Sequence, residues 1–279
     1  MTQQGLIKKI FATTGLENCR PNWTPASQLA LGSDPKGALM DEEWSYSSVV
    51  GMLLYLSTNT RPDIAFAVSQ VARFSQSPRQ VHAVAIKTIV RYLHGTSKFG
   101  IIMKPTGKFQ VDCYCDADFS GLYKREPDWS PTATKSRTGY MIFLGSCPLV
   151  WKSQLQTEIS LSTLEAEYSA LSNSLRTVVI LRRMLLEIGR CLNLENVLNT
   201  AIRCRVFKDN NGAFSLATNH RITNRMKYFL VKFHWFWHHV TNGEIEVFKV
   251  DTTEQIADYL TKGLPRETFE KLRRLAQGW

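Results

Sequence analysis

Long apolar runs are what this 279-residue sequence has least of. The longest near its front, VVGMLLYL, holds eight residues, against the roughly 20 that a bilayer-spanning helix needs. No membrane span is expected. The N-terminus offers no apolar signal core either, because Lys8 and Lys9 interrupt its short amphipathic stretch. Cysteine is sparse: six residues, at 19, 113, 115, 147, 191 and 204, form no CxxC pair. That speaks against a secreted disulfide framework and for a reducing, intracellular compartment. Acids are outnumbered, 24 against 34 Lys and Arg, which leaves a net charge of +10. A polyanionic partner such as nucleic acid, or an anionic surface, is consistent with that excess. Internal repeats and low-complexity tracts are absent, and the 44% apolar content is that of a globular chain.

What is there begins with helices. After an irregular entry, SYSSVVGMLLYLS carries a helical apolar stripe, and Pro62 opens a second helix that runs to Phe74. A third follows Ser77-Pro78 and stops at Gly95. Past Pro105-Thr106-Gly107 the pattern changes to strands, which places a boundary near 107 and divides the chain into 1–107 and 108–279. Phe109 to Asp116 alternates, with Val111, Cys113 and Cys115 on one face. A long polar loop then leads to two strands, TGYMIFLG and LVWKSQ, expected to pair antiparallel around Ser146. The strongest helix opens with Ser162 and Glu165 at capping-box spacing and closes at Gly189. A strand, IRCRVFKD, a short helix and an aromatic helix, NRMKYFLVKFHWFWHHV, come next. A last strand, EIEVFKV, precedes a helix capped by Thr252 and Gln255.

Four acids stand at telling places. Asp116 and Asp209 end strands, and Asp258 sits near the buried side of the short helix after Gln255. Glu167 lies between Leu164 and Leu171 on the edge of an apolar helix face, where a carboxylate is costly unless a positive group meets it. Each has an ordinary explanation alone: strand-end solvation, an Asx turn or a helix-edge charge. Only their being brought together makes a site.

From about Val111 to Leu275 the chain resembles the ribonuclease H domain of copia-type retrotransposon polyproteins. The matching segments are YCDADFSG, KSRTGYMIFLG, LVWKSQLQTEISLSTLEAEYSAL, FKDNNGAFSLATN and TEQIADYLTKGLP. Residues 45–100 resemble the segment between polymerase core and ribonuclease H in the same polyproteins. The resemblance implies an α/β fold, a five-stranded mixed sheet flanked by helices, preceded by a helical connection segment. It also implies a C-terminal piece of a longer polyprotein, working beside upstream polymerase domains in a cytoplasmic particle or the nucleus. Its four metal-binding acids fall on Asp116, Glu167, Asp209 and Asp258, with Asp118 outside the set. The implied cofactor is Mg²⁺, two ions, with Mn²⁺ able to substitute, and the implied substrate is the RNA strand of an RNA–DNA hybrid. Asp116 would bridge both ions, Glu167 and Asp209 would hold the one at the leaving group, and Asp258 the one that activates water. Phosphate-tracking candidates are Lys124, Arg125, Lys135, Arg137, Lys152, Arg221, Arg225 and Lys227. A solvated basic surface is the plainer reading of each.

Departures from that pattern are specific. No histidine lies between His239 and Asp258, where many ribonucleases H carry one, and Lys249 holds the corresponding position; Tyr228 stands where relatives have histidine. YCDA at 114–117 lacks the second Asp of the polymerase YxDD signature, so no polymerase site is expected here. His234 and His238 have an i, i+4 spacing that can bind zinc, but without the Glu of HExxH or a third ligand. Trp235, Phe236 and Trp237 are expected to fill core rather than stack on bases. Two classes of function remain: a metal-dependent ribonuclease H, and a catalytically silent retroelement fragment that binds nucleic acid.

Overall fold

In a computed structural model the helical start is organised by local sequence signals. The structure describes residues 1–107, 109–194, 202–219 and 234–279. Helix α1 (Gln4–Thr14) ends at Gly15, whose positive φ of 65° suits a residue without Cβ. Helix α2 (Tyr46–Asn59) is capped by Ser45, which accepts from the Ser48 amide. The Pro62 segment begins as a 3-10 turn, Pro62–Ile64, before α3 (Ala65–Ala72), and α4 spans Gln80–Gly95.

The strands β1 (Gln110–Asp118), β2 (Arg137–Leu144), β3 (Cys147–Leu155), β4 (Arg203–Lys208) and β5 (Ile245–Lys249) form one mixed sheet in the order β3-β2-β1-β4-β5. The first three make an antiparallel meander, while β4 runs parallel to both β1 and β5. The β2–β3 hairpin turns through Gly145 and Ser146, both at positive φ (54° and 74°), as a two-residue turn matched to strand twist requires. The expected five-stranded mixed sheet with a helical region before it is therefore present.

Helix α5 (Thr163–Cys191) crosses one sheet face. Its Tyr168, Leu171, Leu175 and Val178 pack with Cys113, Cys115, Ile142 and Val206. Half of the expected box is present: Ser162 Oγ accepts from the Glu165 amide at 3.1 Å, while Glu165 accepts from the Leu161 amide, one residue before the cap, at 2.9 Å. All six cysteines are free thiols. Two short helices, α6 (Asn211–Asn219) and α7 (Trp237–Thr241), lie toward the β5 side of the sheet. Most of the predicted aromatic helix falls outside the described residues, as does the His234 side chain of the zinc pair. Phe236 and Trp237 are core residues, and the Trp237 indole donates to Tyr168 Oη at 2.7 Å.

The other face is covered by α1–α4 and the last helix, α8 (Arg266–Gln277). Their apolar side chains share one cluster with Met141 and Phe143 of β2 and with Ile256, Tyr259 and Leu260. Residue 107 thus lies where helices give way to strands, yet the two sides share a core. Among the described residues no helix is long and apolar enough to cross a membrane.

A candidate metal centre of three aspartates

Asp116 belongs to β1, and its partner across the β1–β2 ladder is Gly139. Over that glycine runs a 3-10 helix, Ile256–Leu260, which brings Asp258 to the sheet. The crossing is tight: a Cβ on residue 139 would lie 2.6 Å from Thr261 Cγ2 and 2.9 Å from Leu260 Cβ. The predicted cap assignment there needs correction. Thr252 starts a separate 3-10 turn, Thr252–Glu254, capped by Asp251, whose carboxylate accepts from the Thr253 amide at 2.8 Å. Gln255 caps the segment holding Asp258, its side-chain oxygen accepting from the Ala257 amide at 3.3 Å. Fully buried, it donates toward Cys115 O (3.2 Å) and Phe207 O (3.4 Å), which ties the turn to the ends of β1 and β4.

Asp209 follows β4, which runs parallel beside β1, so these two acids emerge at the same sheet end. Asp116, Asp209 and Asp258 each offer a carboxylate oxygen within 4.8 Å of the other two. Such a cluster repels itself unless protons or cations intervene. Thr261 Oγ1 donates to Asp116 Oδ2 at 2.6 Å, and Lys262 Nζ lies 3.0 Å from Asp258 Oδ2 and 4.0 Å from Asp116 Oδ2. Burial opposes the Asp116 charge, but Lys208, Lys262 and Thr261 hold its pKa below the ordinary value. Burial, and then the Asp116 charge, push Asp258 up to about 8. One oxygen of Asp258, Oδ1, is buried without a hydrogen-bond partner. A buried carboxylate oxygen that meets no donor, on one of three acids whose oxygens converge, fits a hard cation with oxygen ligands.

Glu167 stands differently. It is buried on α5, and its carboxylate accepts from Lys208 Nζ. The positive group that its sequence position demanded is thus supplied by the protein. Burial pushes Glu167 up to about 7. For Lys208, burial works against the charge, and the surrounding negative groups, Glu167 and Asp116 among them, more than offset that. We take the pair as ionised, because the ammonium touches the carboxylate directly. Three of the four predicted acids are therefore gathered, and the fourth, near enough to feel the Asp116 and Asp209 charges, is held by Lys208. Asp118 is not among the gathered oxygens. Lys208 and Lys262 were both missed. The alternation Cys204, Val206, Lys208 along β4 points Lys208 inward and could have revealed it.

The predicted phosphate contacts divide. Lys124, Arg125 and Lys152 are exposed and Lys135 half-buried, so all four can be reached from solvent. Arg137 cannot. At 3% exposure it donates to Ser69 Oγ (2.6 Å) and Ser153 Oγ (3.2 Å) and stacks on Phe66, joining the sheet to α3. Its role is internal, and it is withdrawn from the phosphate set. Arg221, Arg225 and Lys227 lie outside the described residues.

Comparison with known proteins adds kinship. The chain is 32% identical over 270 residues, 97% of its length, to the retrovirus-related Pol polyprotein from transposon RE1 of Arabidopsis thaliana. It is 32% identical over 281 residues to that from transposon TNT 1-94 of Nicotiana tabacum. It spans only 17% and 20% of those two proteins. It also covers 68% of the uncharacterized mitochondrial protein AtMg00810 of Arabidopsis thaliana, at 31% identity. Among solved structures, LC11-RNase H1, isolated from compost, aligns with 58% of this chain and 97% of its own at 16% identity, with a TM-score of 0.39. No family model matches.

Proposed function

We infer, from a chain similar over nearly its whole length to retrovirus-related Pol polyproteins of plant transposons, a metal-dependent nuclease that cuts the RNA strand of RNA–DNA hybrids. The observation that carries this reading is the three-aspartate cluster at the end of β1 and β4, with one buried carboxylate oxygen left unpartnered. Asp116, Asp209 and Asp258 would hold the cation, Mg²⁺ or Mn²⁺. A bound divalent cation supplies the Lewis acidity and charge neutralisation that phosphodiester hydrolysis requires.

The protein's own groups prepare that site. Thr261 fixes the Asp116 carboxylate with a hydroxyl hydrogen bond, and Gln255 holds the Asp258 turn against the strand ends. Asp258, with its raised pKa, carries a proton at neutral pH that a cation must displace. The exposed Lys124, Arg125 and Lys152 and the half-buried Lys135 would bind and orient the phosphate backbones, and the 2′-hydroxyl would identify the strand to be cut. The products would be a 5′-phosphate and a 3′-hydroxyl. The acting protein would be the longer polyprotein of which related chains form part.

The direct test is Mg²⁺-dependent cleavage of an end-labelled RNA–DNA hybrid by the wild-type chain and by Asp116→Asn. Cleavage abolished by the substitution, with unchanged thermal unfolding, is the expected result. The Glu167–Lys208 pair favours one other reading, a nucleic-acid-binding remnant. Hybrid binding without any cleavage by the folded wild type would select it.

A further inference from the structure

We propose that Lys208 is a built-in cation that withdraws Glu167 from metal binding, so that the centre takes a single divalent ion rather than two. The proposal rests on the metal-centre reading above and deepens it. Lys208 is the last residue of β4 and has no exposed surface. Its ammonium is fixed from two sides, by Cys115 O of the neighbouring strand at 3.0 Å and by the Glu167 carboxylate of α5. A long basic side chain normally carries its charge to solvent; enclosed in this way, Lys208 has nowhere to move. Lys262 differs, because its side chain is 41% exposed and can swing away from Asp258.

The same ammonium reaches the end of β1 through Cys115 O, one residue before Asp116, so it stands at the border of the acid cluster. A second divalent ion on Glu167 would have to share that carboxylate with an ammonium that is enclosed and cannot leave. The ligand oxygens agree: Asp116, Asp209 and Asp258 converge within 4.8 Å, and Glu167 is not in that group.

The test is the stoichiometry of Mn²⁺ binding, by isothermal titration of the full chain at fixed pH. Wild type should bind one ion. Lys208→Met, which keeps the bulk and removes the charge, should bind two, and Lys208→Met with Glu167→Gln should return to one. Should the Lys208→Met variant fail to fold, the double variant decides, because it leaves neither buried charge unpaired: it should bind one ion with an affinity within about threefold of wild type. Two ions in wild type, one ion in Lys208→Met, or a large loss of affinity in the double variant would each overturn the proposal while leaving the nuclease reading intact. No Mn²⁺ binding by wild type would overturn both.

Discussion

Asp258, in the proposed metal centre, would couple protonation to metal at a single residue. Its carboxyl is raised to about 8 from an ordinary 3.8, by burial first and the Asp116 charge second. The folded protein therefore holds a proton that the unfolded chain has released, and this contribution to stability, present below about pH 4, is lost as pH rises through about 8. A cation must expel the same proton. Mn²⁺ affinity should accordingly climb roughly tenfold per pH unit between about pH 6 and 8, a slope readable by titration calorimetry, and Asp258→Asn should flatten it. Much at this scale could be read beforehand. The strand-end places of Asp116 and Asp209 and the helix-edge place of Glu167 follow from period alone, and the resemblance joined them. That Glu167 needed a cation was legible; that the cation is Lys208 required treating a lysine as an inward-facing strand residue. Arg137 failed in the opposite sense, because a basic residue beside a polar loop looks exposed until α3 is seen to cover it.

Elements place the acids through contacts that no local pattern encodes. Gly139 is the clearest case. It reads as an ordinary strand glycine, and only the 3-10 helix crossing above it shows why a side chain there has no room. Gly139→Ala should cost roughly 1–3 kcal/mol of stability by overpacking and weaken Mn²⁺ binding by pushing Asp258 outward. Urea unfolding and titration calorimetry measure the two effects. Gly51→Ala is the matched control. That helical glycine meets nothing within 4 Å, and its replacement should stabilise by roughly 0.5–1 kcal/mol in the same unfolding assay. The strands, the β2–β3 turn and α5 were all readable because their signals are local. Of the two caps expected for the turn carrying Asp258, Gln255 is the one present, held by β1 and β4, while Thr252 begins a separate turn.

Across the whole molecule, α8 returns to the helices that begin the chain. Asp63, completely enclosed, pairs with Arg61 at 2.7 Å, accepts from Tyr92 Oη at 2.6 Å and from Gln277 Nε2 of α8 at 3.2 Å. Tyr92 also meets Phe269 of α8 edge-on at 5.8 Å. Composition shifts near 107 mark a change of secondary structure, and such shifts are blind to a core shared by both sides. Asp63→Ala would strand the buried Arg61 charge and should cost about 3–5 kcal/mol, measured as a lowered urea midpoint. If the helical segment were an independent unit, that loss would leave the metal centre untouched. In a shared core, Mn²⁺ binding and tryptophan fluorescence should be lost at the same urea concentration.

The order in which the acids occur along the chain sets when the centre can exist. Asp116 is synthesised well before Asp258, and the turn bearing Asp258 settles only by crossing β2 and reaching back to β1. Contacts so distant in sequence form late, after their loop-closure entropy has been met. A growing chain would complete its sheet meander while Asp258 was still in the ribosome, so under the proposed metal centre ion capture would mark the closing of the turn that bears it.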